Sequence, residues 1–213
     1  DALQKMLQMQ YANYQISQES IDMVNQKYHD LKHQIAVLRS EVRSEEKTDC
    51  LDRMEREIKI YETQNKTGNE VLDAILTSKS IYCQGQNISL TCVADGRALH
   101  FMDTIDISSL FGNALDNAIE SVRQIPEEES EKRLIHLSVV KQKGFVRIRV
   151  ENYCEKEPVL KDGMPVTTKK DTRFHGYGLK SIQSTARKYG GSVTASVKNH
   201  WFELRILLPE KAE

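Results

Sequence analysis

No apolar run among the 213 residues approaches the roughly 20 needed for a membrane helix. Nor does any stretch have the make-up of a signal peptide. The four cysteines, Cys50, Cys83, Cys92 and Cys154, are scattered and form no Cys-x-x-Cys pair, which argues against a zinc site or a disulfide framework. They read as reduced thiols of a cytosolic protein. Neither sign of charge dominates: the formal net charge is -1, so nothing draws the chain to nucleic acid or to an anionic membrane surface. A Gly-x-x-x-x-Gly-Lys phosphate loop is missing, and so is the glycine fingerprint of a dinucleotide-binding βαβ unit. Internal repeats and low-complexity tracts are also absent.

What is present divides into two parts with different periods. From Ile21 the apolar positions run Ile21, Val24, Tyr28, Leu31, Ile35, Leu38 and Val42, spaced alternately three and four apart. This is a heptad seam, too narrow for one helix to bury alone. After the polar break "RSEEKTD" a second seam follows at Leu51, Met54, Ile58 and Tyr61. The pattern predicts an antiparallel helical hairpin, and two such hairpins would close a four-helix bundle in a homodimer. The chain opens at "DALQKMLQ" already in helical rhythm. The expectation is therefore a portion of a longer protein, whose own relation to the membrane this portion does not reveal.

Past "NKTGN" the period changes. The reading is a helix over "EVLDAILTSKSIY", a strand over "ISLTCVA", a helix with Asp106 as N-cap, and strands "RLIHLSVVKQ" and "FVRIRVEN" joined as a hairpin at Lys143-Gly144. Residues 153–175, with two prolines and no period, read as a structureless lid. A helix then starts within "HGYGLKS" and stops at Gly190-Gly191, before strands "SVTASVK" and "WFELRILLP". The predicted class is α+β, with residues 1–67 as the hairpin and 68–213 as an α/β sandwich whose helices cover one face of a mixed sheet.

Two features carry chemistry. Asn113 and Asn117 sit four apart in "GNALDNAIES" and project from one helix face. Amides in an apolar helical pattern need partners, either structural ones or a ligand. A neutral amide oxygen suits Mg²⁺, a hard cation that bridges substrate phosphates. Gly176-Tyr177-Gly178 opens a helix, where backbone N–H groups and the helix dipole favour an anion. A tight turn explains many such glycine pairs equally well.

Together "GNALDNAIES" and "HGYGLKSIQSTARKYGGSV" resemble the N box and second glycine box of the GHKL ATPase superfamily, and most resemble its sensor histidine kinases of the peptide-pheromone receptor type. The resemblance covers roughly residues 68–210 as an ATP-binding domain of Bergerat type, and residues 1–66 look like that class's dimerisation and phosphotransfer hairpin. It implies that Asn117 coordinates the Mg²⁺ of the nucleotide. Asn113 takes the place where gyrase-like and chaperone relatives carry a water-activating glutamate, which a neutral amide cannot replace. Gly176, Gly178 and Leu179 would present backbone to the phosphates, with Lys180 adding charge. Lys169, Lys170 and Arg173 are lid cations that could close on the phosphates, although a solvated charge run is the ordinary reading of such residues. The family's Asp-x-Gly-x-Gly box is missing after "RIRVEN"; Asn152 stands in the matching place, and its amide oxygen would accept from adenine.

In the first helix "YHDLKHQI" puts His29 and His33 four apart and off the apolar seam. A solvated histidine is the ordinary reading of either. His29 is followed by Asp30 and so resembles the family's phosphoacceptor motif. A neighbouring carboxylate can accept one imidazole proton and leave the other nitrogen nucleophilic. His33 stands where relatives position water for dephosphorylation. The resemblance thus implies Mg-ATP-dependent autophosphorylation and transfer to a response regulator receiver domain, in a cytoplasmic portion of a membrane-anchored parent. The rival expectation is a catalytically weak GHKL-fold dimer that sequesters a partner.

Overall fold

The computed structural model describes residues 34, 35, 37, 51, 52, 66–161, 163–165 and 177–210. The predicted hairpin as a unit, with His29, Asp30 and His33, lies outside the described residues. Of its seams, Ile35 and Leu51 are described, and both are helical and buried.

The chain enters the second part through Thr67, whose backbone N–H and hydroxyl both donate to Asp73. Asn69 caps helix α1 (Glu70–Gly85) by accepting from the Leu72 backbone N–H. Strand β1 (Ser89–Ala94) follows, then α2 (Thr104–Val122), β2 (Leu134–Gln142) and β3 (Phe145–Tyr153). Two short strands, β4 (Leu160–Lys161) and β5 (Met164–Pro165), precede α3 (Tyr177–Lys188), β6 (Ser192–Lys198) and β7 (Trp201–Pro209).

The main sheet has the order β1-β2-β3-β7-β6. β1 and β2 are parallel, because α2 carries the chain between them; the other pairs are antiparallel. The Lys143-Gly144 hairpin forms as expected, with both residues at positive φ. Alternate residues of β2 and β3 are buried (Ile135, Leu137, Val139; Val146, Ile148, Val150, Asn152), as a half-covered sheet requires. α2 lies on β2 and β3 and touches α1 and α3. Leu110, Phe111, Leu115 and Val122 are fully buried from it, each stabilising the fold by about 1.5–3 kcal/mol. On the opposite sheet face Arg149 bridges Glu151 and Glu203.

Two local expectations need correcting. The N-cap of α2 is Asp103, and Asp106 lies in the first turn, where its carboxylate meets Lys188 and Tyr189 instead of the helix's own N–H groups. The stretch read as structureless includes β4 and β5, and the Gly163 carbonyl between them accepts from the Ala195 backbone N–H on β6. Two-residue strands are too short to show a period.

Candidate active site

α2 carries a polar stripe at intervals of four: Ser109, Asn113, Asn117 and Ser121. Each member meets something that comes from far along the chain.

At the first rung, the Ser109 hydroxyl, 3% exposed as a residue, lies 2.9 Å from that of Ser181 on α3. One turn on, Asn113 Nδ2 donates to the Ser109 backbone carbonyl at 2.7 Å, with a weaker contact to the Ser109 hydroxyl at 3.4 Å. A carbonyl can only accept, so this bond fixes which way the Asn113 amide points. Its oxygen is turned toward Gly178. A β-carbon added to Gly178 would stand 3.5 Å from Asn113 Oδ1, 3.5 Å from Asn117 Oδ1 and 3.6 Å from Asn117 Nδ2. That Asn117 nitrogen is buried and has no hydrogen-bond partner. At the last rung, Asn152 from the end of β3 is 1% exposed and donates its Nδ2 to the Ser121 hydroxyl and to the Tyr153 carbonyl, each at 3.0 Å. Its amide oxygen keeps the acceptor capacity.

α3 runs antiparallel to α2, since its start faces the asparagines and its end meets the start of α2. There Lys188 bonds Asp103 at 2.9 Å and Asp106 at 2.6 Å. The Tyr189 hydroxyl donates to Asp106 at 2.6 Å and accepts from the Asp103 backbone N–H. These bonds hold the Lys188 ammonium well above its ordinary pKa and lower that of the Asp103 carboxyl. Burial and the bond to Asp106 push Tyr189 up to about 12. A cation at the helix C-terminus also suits the dipole. Gly191 then ends the turn: its N–H bonds the Ala186 carbonyl and that of Gly190 the Arg187 carbonyl, with Gly190 at φ +72°, a Schellman stop.

The structure therefore brings together Asn113, Asn117 and Gly178, with Asn152 and Ser121 one turn further along α2. Leu179 packs against the core, and Lys180 is exposed. Gly176, Lys169, Lys170 and Arg173 lie outside the described residues. Ser109, Ser121 and Ser181 were not singled out from sequence, although Ser109 and Ser121 continue the spacing of the asparagine pair in both directions. Among the described residues no group of three or more His, Cys, Asp or Glu could hold a metal ion. The oxygens that converge are the two carboxamides, neutral and hard. An orphaned buried N–H and a cleft that a single β-carbon would fill both fit a phosphate-borne cation and its anion at this place.

A family model described as "GHKL domain" (HATPase_c_5) matches residues 102–209, about half of the chain. No curated protein matches it. Among solved structures, the catalytic domain of histidine kinase ThkA in a nucleotide-free form is similar at a TM-score of 0.51 and 19% identity, over 66% of this chain and 91% of that one. Another nucleotide-free form of the same domain gives 0.52 and 19%, over 66% and 92%.

Proposed function

Because the chain belongs to the GHKL domain family, we propose that it is the cytoplasmic portion of a sensor histidine kinase, with a Mg-ATP site between α2 and the start of α3. The observation that carries this reading is the meeting of Gly178 with both carboxamides beside the unpartnered Asn117 nitrogen. Mg-ATP would supply the phosphoryl group and neutralise its charge. The chain's residues do the rest by positioning, which is most of what phosphoryl transfer asks of a protein. Asn117 offers its amide oxygen to the cation. Asn113 has no proton-accepting carboxylate, so it favours transfer over hydrolysis by water. Gly178 and Leu179 expose backbone at a helix N-terminus, and Gly176 and Lys180 extend that surface. Asn152 Oδ1 is the acceptor for the adenine amine in place of the missing aspartate, and Lys169 contributes charge from the lid.

His29 is the proposed acceptor, with Asp30 holding one imidazole proton so that the other nitrogen attacks. His33, one turn on, positions water for dephosphorylating the response regulator. The phosphoryl group then passes to an aspartate of a response regulator. Residues 1–67 would supply the dimeric hairpin and 68–213 the catalytic domain, and the parent would be membrane-anchored. The test is incubation with γ-labelled ATP and Mg²⁺. Acid-labile, base-stable label that persists in His33→Ala and disappears in His29→Ala is expected; the opposite pattern moves the acceptor to His33.

The second reading is a catalytically weak dimer that sequesters a partner. It is favoured by the burial of Asn152, which is 1% exposed where the adenine amine would have to reach it. Binding of Mg-ATP without labelling would select it.

A further inference from the structure

We infer that Ser109 and Ser181 are positioning residues for the nucleotide site: their hydroxyl pair sets how closely the start of α3 approaches the carboxamides of α2. The inference rests on the reading of that site as a Mg-ATP site.

The two residues are 72 apart in sequence and lie on different helices, yet their oxygens are 2.9 Å apart. Ser109 is buried and Ser181 half-buried, so this bond forms where water competes little. The pair is also connected to the site on one side. Asn113 Nδ2 approaches the Ser109 hydroxyl as a donor at 3.4 Å, so contacts run from Asn113 through Ser109 to Ser181, and either hydroxyl of the pair can donate to the other. Ser181 is three residues beyond Gly178 on the same helix, about one turn. Fixing Ser181 against Ser109 therefore fixes the height of Gly178 over Asn113 and Asn117. The bonds at Lys188 and Tyr189 hold the far end of α3. Ser109–Ser181 is a direct α2–α3 hydrogen bond on the nucleotide side of that anchor.

If the hydroxyl pair only filled space, its loss would lower stability and leave the nucleotide site alone. As a positioning pair it acts on affinity and on the Mg²⁺ requirement. The experiment measures the Mg-ATP dissociation constant, the Mg²⁺ concentration for half-saturation at fixed ATP, and urea stability without nucleotide. The proteins are wild type, Ser109→Ala, Ser181→Ala, the double variant and Ser181→Thr, with Ile206→Val as a core variant away from the site. Each alanine is expected to weaken Mg-ATP about 2- to 12-fold, the worth of one net hydrogen bond, and to raise the Mg²⁺ requirement. The double variant should be no weaker than the worse single one, since both lose the same bond. Ser181→Thr keeps the hydroxyl and retains wild-type affinity, and Ile206→Val loses stability without loss of affinity. Wild-type affinity in both alanine variants overturns the positioning role while leaving the site intact, and so do additive losses or a loss that Ser181→Thr fails to restore. Absence of Mg-ATP binding by wild type overturns the site itself, and the positioning role with it.

Discussion

Gly178 at the start of α3 faces Asn117 of α2 so closely that a β-carbon on the glycine would stand 3.5 Å from the amide oxygen. That distance is ordinary contact, not a clash, and Gly178 does not adopt a positive φ. Nothing in the folding of the chain calls for glycine there. The space it leaves does.

Gly178→Ala is therefore expected to fold. In a helix, alanine is favoured over glycine by about 0.5–1 kcal/mol, so urea stability without nucleotide should equal or exceed wild type. Affinity for Mg-ATP should fall at least tenfold, on the order of 1.4 kcal/mol, because the methyl group occupies the cleft. Gly191 provides the contrast. A β-carbon there would overlap the Leu207 carbonyl and the Leu208 side chain, so Gly191→Ala should destabilise by about 1–3 kcal/mol.

Asn117→Ala removes a buried N–H without a partner. Such a group opposes folding by about 1–3 kcal/mol, which offsets the packing lost with the side chain. The expected outcome is stability close to wild type, with nucleotide binding lost. A large fall in stability would mean that the amide is a structural member of the core.

The joint between the end of α3 and the start of α2 predicts a pH response. Tyr189, ordinarily ionising near 10, is pushed up to about 12, so the folded state favours its protonated form. Its contribution is complete below pH 10 and is lost as the pH rises through about 12. Lys188, also raised, is lost in the same direction. Asp103 is depressed, so its contribution is present above the usual carboxylate range and fades as the pH falls through it. Tyr189→Phe should lower stability by about 1–3 kcal/mol, since it strands the Asp103 N–H and leaves the Asp106 carboxylate with Lys188 as its remaining side-chain donor. It should also flatten the alkaline limb, and urea titrations between pH 8 and pH 12 read both effects.

The thiols give a fourth check. Burial pushes Cys83 and Cys92 from 9.0 to about 11, and it raises Cys154 as well. At pH 8 a shift of that size cuts the thiolate on the order of 100-fold. In a Cys50→Ser background, labelling of Cys83 and Cys92 by a disulfide reagent should be slower in the native than in the denatured protein by about that factor. Fast native labelling of Cys83 would contradict its burial.

Much of this was legible in the residues themselves. Alternation in "LIHLSVV" and "FVRIRV" marked the strands, Lys143-Gly144 the tight hairpin, and Gly190-Gly191 the helix stop, because each is dictated by local backbone physics. The asparagine pair stood out because amides are unusual in an apolar helix. Ser109 and Ser121 share that spacing but are small and common in helices, so they gave no such signal. Ser181 had none at all, because its partner lies 72 residues away and the pairing depends on how α3 packs. Asp106 fits an N-cap as well as Asp103 does by residue type; its bonds to Lys188 and Tyr189 are long-range and decide the matter.

The most direct measurement is the melting temperature of wild type, Asn117→Ala and Gly178→Ala with millimolar ATP, in the presence and absence of Mg²⁺. A ligand that binds the native state must stabilise it, by about 2.7 kcal/mol at a hundredfold excess over Kd. The account predicts an upward shift in wild type that depends on Mg²⁺, is missing from Asn117→Ala and is at most about half as large in Gly178→Ala. No shift in wild type, or the same shift in all three proteins, would contradict it.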